Sequence, residues 1–241
     1  MAEVIAIANL KGGVGKSTIA VNLACGLRGP DRTAVVIDAD SQGTSSFWSN
    51  IGSLPVELRA MPLEDEDEKS GIFGRLARRR AVKDGRFARA WLTDLKAVEA
   101  NYVVIDCPPH VGLATRAAVW AADLVLVPVT ASAADVSATK PALELIAEAR
   151  AARQDKGPKC LLVPSRVDRS TATGRTIEAI LKHLGEAVGP AICQRVAFAD
   201  SVAFGQWIGD FAPNSPAHRE MVDLAYSVRR VLREKPSHED A

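Results

Sequence analysis

The sequence predicts an α/β fold built on a doubly wound, mostly parallel sheet, and three observations carry that expectation. Apolar runs of strand length alternate with helical patterns along almost the whole chain, the order that parallel βαβ units require. Nearly every such run is continuously apolar, as in strands covered on both faces. The first run, VIAIAN (Val4 to Asn9), passes through a glycine-rich turn, KGGVGKST, straight into a helical pattern, TIAVNLACGL.

After that helix, TAVVIDAD (Thr33 to Asp40) reads as a second buried strand, bounded by Gly29-Pro30 before and Ser-Gln-Gly after. Residues 54–58 are the candidate for a short third strand. A charge-segregated stretch comes next, acidic over residues 64–68 and basic at Arg75, Arg78, Arg79, Arg80, Lys83, Arg86 and Arg89. Apolar residues at helical spacing (Ile72, Phe73 and Leu76, then Phe87, Trp91, Leu92, Leu95 and Val98) predict two helices there. Opposite charges a few turns apart read as a solvated face or a surface on which a partner docks. YVVIDCPP and DLVLVPV are two further strands, with a helix over 112–121 between them. Residues 133–154 predict one long alanine-rich helix. A strand over 160–165, a helix over 173–184 and a last strand, AICQRV, follow. The final amphipathic helix has Ser215 as its cap and Pro216 in its first turn. With no repeat, low-complexity tract or linker in view, residues 1–235 are expected to form one domain, and 236–241 a short polar tail.

A length of 241 residues allows one substantial core. The net charge of +1 offers no global attraction for nucleic acid, so any basic surface must be local. Cys25, Cys107, Cys160 and Cys193 show no CxxC or Cys/His spacing and read as buried thiols of a reducing compartment. The start of the chain has no basic leader, and no apolar run approaches the ~20 residues of a membrane span. A cytoplasmic protein is expected.

The turn carries the chemistry. Backbone N–H groups in a loop of this kind point inward and cradle phosphate oxygens. Gly12, Gly13 and Gly15 let the backbone close on an anion, with Val14 between them and Thr18 completing the loop. Lys16 reaches terminal phosphates, and the Ser17 hydroxyl suits a Mg²⁺ ion. The strict P-loop pattern has glycine where this chain has Leu10, and a second lysine, Lys11, opens the turn. Phosphate chemistry also needs a metal nearby and an oriented water, supplied by carboxylates at the C-terminal ends of strands. Asp106 ends the strand YVVID and is expected to contact Mg²⁺ directly or through water. Asp38 and Asp40 end another strand two residues apart, on one side of the extended chain.

A lysine followed by GGxGK[ST] resembles the deviant Walker A motif of the ParA/MinD group of ATPases. IDADSQG is similar to that family's DxDPQG, with Ser41 in place of proline, and DCPPHVG to its DCPPSLG, with His110 in place of serine. The resemblance continues through ADLVLVPVTASAADVSAT and RVAFADSVAFGQWIGDFAPNSPA, leaving out only about residues 52–100. It implies a P-loop ATPase using ATP and Mg²⁺. Ser17, Asp38 and Asp106 would belong to the metal site, Asp40 would position and activate the water, and Lys16 would hold the phosphates. The resemblance also implies a homodimer in ATP, in which Lys11 crosses to the partner's nucleotide. After the strand CLLVPS the family reads adenine, so Ser165 and Arg166 are the candidate base contacts.

Three kinds of member compete: a ParA-type partition ATPase, a MinD-type membrane ATPase, and a metabolic or metallocluster ATPase of the same fold. The last helix offers Ala217, Met221, Leu224, Ala225, Val228 and Leu232 at the spacing of a docked core face, and the polar, acidic-ended KPSHEDA after it disfavours a membrane anchor. Cys107 has no second cysteine in a suitable loop, which disfavours a cluster. The partition reading implies nonspecific DNA binding by a local basic patch, for which Arg169, Arg195, Arg229 and Arg230 are the candidates. It also implies nucleoid association and a ParB-like or other adaptor that stimulates hydrolysis.

Overall fold

The computed structural model describes residues 2–63 and 86–233. The acidic run, the basic residues up to Lys83, the helix expected around Ile72 to Leu76 and the tail 236–241 lie outside the described residues. Eight strands form one sheet: β1 (Glu3–Ile7), β2 (Ala34–Asp38), β3 (Glu57–Ala60), β4 (Tyr102–Asp106), β5 (Leu124–Thr130), β6 (Lys159–Val167), β7 (Ala187–Val188) and β8 (Ile192–Cys193). Their order is β3-β2-β4-β1-β5-β6-β7, with β8 on β6, and the strand pairings are parallel. The expected doubly wound sheet is present.

Ten helices accompany the sheet among the described residues: α1 (Lys16–Leu27), α2 (Thr44–Ile51), α3 (Arg86–Lys96), α4 (Leu113–Ala121), α5 (Ala133–Ser137), α6 (Lys140–Ala152), α7 (Ala172–Lys182), α8 (Val196–Ala203), α9 (Ile208–Phe211) and α10 (Pro216–Arg233). Each central strand feeds both faces, because successive side chains point to opposite sides. Ala6, Ile37, Ile105 and Val127 face a core shared with Trp91, Leu95, Ala118 and Ile146 from α3, α4 and α6. Ile5, Ile7, Val36, Val104 and Leu126 face the opposite core with α1 and α10. In α10 the expected docked face is realised: Met221, Leu224, Ala225 and Val228 are fully buried, and the Ser215 hydroxyl accepts the His218 N–H as the cap. Burying each of the large ones is worth about 1.5–3 kcal/mol, so this apolar face is spent on the core. No described helix is long and apolar enough to cross a membrane.

Four expectations need correction. The single long helix after β5 is two, α5 and α6, because Pro141 has no N–H to continue α5 and sits instead in the first turn of α6. The third strand lies three residues later than its expected start, in register with β2 from Val35↔Glu57 onward. The last strand shrinks to Ile192–Cys193, and a helix begins at Val196. Three thiols are buried as expected, but Cys193 is half-exposed.

Winding places one end of the sheet at the service of a ligand. From β1 the chain crosses towards β2, while from β4 it crosses to the other side of β1, to β5. Their carboxyl ends therefore diverge at a topological switch point, where such sheets open a crevice.

Candidate nucleotide site

A cleft of about 1130 Å³ opens at that switch point, lined by the glycine-rich loop, Asp40, Gln42, the end of β6 and the start of α8. The loop leaves β1 and enters α1 at Lys16. Gly15 has φ 91°, a left-handed conformation that L side chains rarely adopt, and a Cβ there would stand 3.1 Å from the Ser165 hydroxyl. Gly13 also has positive φ. The backbone conformation thus explains the glycines at these two positions without appeal to any ligand. Gly12, Gly13, Gly15, Lys16, Ser17 and Thr18 all line the cleft, whereas Val14 is buried beneath the loop.

Register fixes the carboxylates. Asp38 of β2 and Asp106 of β4 are paired neighbours, and Ile7 of β1 pairs with Asp106 on the other side. Both aspartates are buried. Ser46 donates to Asp38 Oδ2 twice, from its backbone N–H at 2.8 Å and its hydroxyl at 2.7 Å. The Ser45 hydroxyl donates to Asp106 Oδ2 at 2.6 Å. Asp106 Oδ1 has no hydrogen-bond partner. Burial pushes the Asp106 carboxyl up to about 6; the Ser17 and Ser45 hydroxyls beside it oppose the shift, and the Asp38 carboxylate adds to it.

A buried carboxylate oxygen with an open lone pair, beside a serine hydroxyl, is a fitting donor set for a hard divalent cation. No group of three or more His, Cys, Asp or Glu among the described residues could cage a metal alone. A cation here would take its remaining oxygens from a phosphate and water, which is how Mg²⁺ is usually held.

The raised carboxyl has a measurable consequence for the bare protein. Its contribution to stability is complete below 3.8 and is lost as pH rises through about 6. At neutral pH the ionised form therefore costs the fold on the order of 3 kcal/mol. Asp106→Asn should raise the melting temperature of nucleotide-free, metal-free protein by roughly 6–12 °C at pH 7.5, and by about half as much at pH 5. Thermal melts at the two pH values check this; a variant melting lower at both would show that the carboxylate is not a burden.

Lys16 lies mostly buried, and its ammonium donates to the Lys11 carbonyl at 3.0 Å. Burial lowers its pKa, against the pull of the Asp106 and Asp40 carboxylates. Asp40, half-buried, accepts the Gln42 N–H at 3.0 Å, and its own N–H donates to Asp38 at 3.2 Å.

Lys11 does not share this direction. Its backbone N–H donates to Asn9 Oδ1 at 3.0 Å, and Asn9 Nδ2 donates to the Pro128 carbonyl at 2.7 Å. Its ammonium forms an ion pair with Asp135 on α5, whose other oxygen accepts the Thr130 hydroxyl. The Lys11 side chain is 46 % exposed and that of Asp135 only 9 %.

Ser165 and Arg166 end up beneath and beside the loop. The Ser165 hydroxyl donates to the Val14 carbonyl at 2.7 Å, and an Arg166 N–H donates to the Gly13 carbonyl at 2.7 Å. Arg166 reaches there from a left-handed backbone, φ 51°, which is costly for a residue with a side chain. In these positions both residues brace the loop.

Two of the four basic candidates line the cleft and two lie on α10. Arg169 and Arg195 line the cleft, each in an ion pair at 2.6 Å, with Glu178 and Glu220 respectively. Arg229 lies on α10 with a guanidinium N–H 3.4 Å from the Gly26 carbonyl, and Arg230 follows it on the same helix. Sequence reasoning missed Asn9, Ser45, Ser46 and Asp135. The signal for the serines was available, since TSSF begins a helix just after the Asp38–Asp40 pair.

Residues 5–208 match the CobQ/CobB/MinD/ParA nucleotide binding domain family (CbiA). The maintenance of carboxysome distribution protein A of Halothiobacillus neapolitanus is 29% identical over 205 residues, covering 83% of this chain and 84% of that protein. The chromosome-partitioning ATPase Soj of Thermus thermophilus is 29% identical over 242 residues, covering 95% and 96%. In fold, the chain is similar to a variant of Cyanothece McdA solved as an ATP complex, with a TM-score of 0.70 at 19% identity and 99% of each chain covered.

Proposed function

Since the chain belongs to the CobQ/CobB/MinD/ParA family of nucleotide-binding domains, and is an ATPase of its ParA/MinD branch, we propose that it works as a ParA-type positioning ATPase. In this reading residues 1–235 are one ATPase domain. With ATP and Mg²⁺ it forms a sandwich homodimer that binds duplex DNA without sequence preference, on the nucleoid. A ParB-like or other adaptor stimulates slow hydrolysis and releases it, so that a plasmid, chromosome locus or protein assembly is moved. The reading has no membrane partner.

Gly12, Gly13, Val14, Gly15, Ser17 and Thr18 supply the phosphate cradle, in which Lys16 holds the terminal phosphates. Ser17, Asp38 and Asp106 would hold a Mg²⁺, which would neutralise charge on the phosphoryl group being transferred. The two serines that open α2 keep Asp38 and Asp106 aimed at that site. Asp40 orients the attacking water, and Ser165 with Arg166 fixes the loop edge next to the base.

The direction of Lys11 carries the proposal. A cation that opens the phosphate loop, yet pairs with Asp135 outside it and stays half-exposed, supports a role toward another molecule's phosphates. In a water-excluded interface such a charge acts more strongly than in water, and dimerisation then depends on bound ATP. Arg169, Arg195, Arg229 and Arg230 are assigned to DNA, although the carboxylates paired with the first two cancel part of the local charge.

Fluorescence anisotropy with unrelated duplexes, at two salt concentrations and beside anionic liposome sedimentation, tests the reading. DNA should bind with ATP and not with ADP, and affinity should fall steeply with salt as counterions are released. Lys11→Ala should lose both the ATP dimer, by light scattering, and DNA binding. ATP-dependent liposome sedimentation without DNA binding would favour a membrane ATPase instead, and absence of both a metabolic one.

A further inference from the structure

We propose that Asp135 is a latch that holds Lys11 in the nucleotide-free monomer, and that dimerisation must first release it. The inference rests on the assignment of Lys11 to a second subunit's nucleotide. Three structural features carry it.

The carboxylate is built into its place. Asp135 is buried on α5, its backbone N–H donates to the Ser132 hydroxyl at 3.1 Å, and its carbonyl accepts the Thr139 hydroxyl at 3.0 Å. One carboxylate oxygen is held by Thr130 at the end of β5, which leaves the other for Lys11. A buried carboxylate needs a cation or several donors to be tolerated, so the pair satisfies Asp135 at the cost of occupying Lys11.

Lys11 is fastened at two points to the same strand end. Its backbone is tied through Asn9 to Pro128, and its ammonium through Asp135 to Thr130. The opening of the phosphate loop is thereby clipped onto β5. Reaching across to another subunit leaves the backbone tie intact and requires only the ammonium to leave.

The clip also sits on a separate piece of chain. α5 spans five residues and is divided from α6 at Ala138–Thr139. Asp135 therefore stands on its own short helix, joined to the start of α6 through Thr139.

Asp135→Asn keeps the shape and the acceptor for Thr130 while removing the charge that holds Lys11. The variant's ATP-dependent dimer should form at roughly tenfold lower protein concentration, by light scattering, since each dimer releases two such pairs, each worth roughly threefold. Thr130→Val, which frees the carboxylate to move, should shift the midpoint the same way by a smaller factor. A second readout follows the lysine itself. In nucleotide-free protein, acylation of the Lys11 amine read by mass spectrometry should be roughly threefold faster in Asp135→Asn than in wild type, as expected once the pair no longer holds the amine. Monomer nucleotide binding serves as the check on folding. Unchanged Lys11 labelling would overturn the latch, as would faster labelling with an unchanged or higher dimerisation midpoint. If instead Lys11→Ala forms the ATP dimer as well as wild type, the reading of Lys11 as a trans-acting residue falls, whatever Asp135 does.

Discussion

Lys16→Ala is expected to abolish ATP hydrolysis, with turnover falling by at least about 10²-fold, near 3 kcal/mol of lost transition-state stabilisation. The ammonium is the positive charge at the floor of the loop, held by the Lys11 carbonyl and backed by Asp106 and Asp40. In a mostly buried position its interaction with phosphate is strong, because little water screens it. The backbone cradle survives the substitution, so weak nucleotide binding should persist. Phosphate release and nucleotide titration, run side by side, check the prediction; a variant with wild-type turnover would remove the loop from the mechanism.

Much of this loop was legible in the sequence, because its constraints are local. The glycines are required within a few residues of each other, and the strand before and the helix after announce themselves by their own patterns. Asp38 and Asp106 were also within reach, since each closes an apolar run and a parallel sheet lines up such ends. What escaped was set by distant partners. Asp135 meets Lys11 across 124 residues of sequence, and nothing in an alanine-rich stretch marks one aspartate as a lysine's partner. Pro141 marks the division of α5 from α6, but the alanines around it have high helix propensity and mask the break in the sequence pattern. Arg169 and Arg195 looked like surface cations because Glu178 and Glu220 reach them only through the fold. Ser165 and Arg166 were assigned to the base by position, whereas their hydrogen bonds go to the loop's own carbonyls.

Asp40→Ala is expected to separate binding from chemistry. Hydrolysis should fall by about 10²–10⁴-fold, the usual worth of a residue that handles a proton or a water in the transition state. ATP binding should remain, so the loss appears in kcat with KM little changed, and size-exclusion chromatography should show a dimer trapped in ATP. Asp40 also accepts the Gln42 N–H, and removing it could loosen that turn. Asp40→Asn retains the acceptor and is therefore the decisive companion. If the asparagine variant hydrolyses ATP normally, the residue serves the turn alone. If neither variant binds nucleotide, Asp40 belongs to the metal site.

The strand order has a consequence for how the chain is made. β4 lies between β1 and β2 although it follows both in sequence. A nascent chain that has emerged only as far as β3 therefore owns the finished phosphate-loop sequence but cannot assemble the crevice. Its first two strands are apolar on both faces and lack the neighbour that separates them. Until Tyr102–Asp106 leaves the ribosome, those edges stay unpaired, the condition in which β-rich intermediates adhere to one another. Parallel pairings of such long sequence separation also fold slowly. The segment that supplies the phosphate cradle is thus synthesised first and structured late, and chaperone demand should be greatest during translation of the first hundred or so residues.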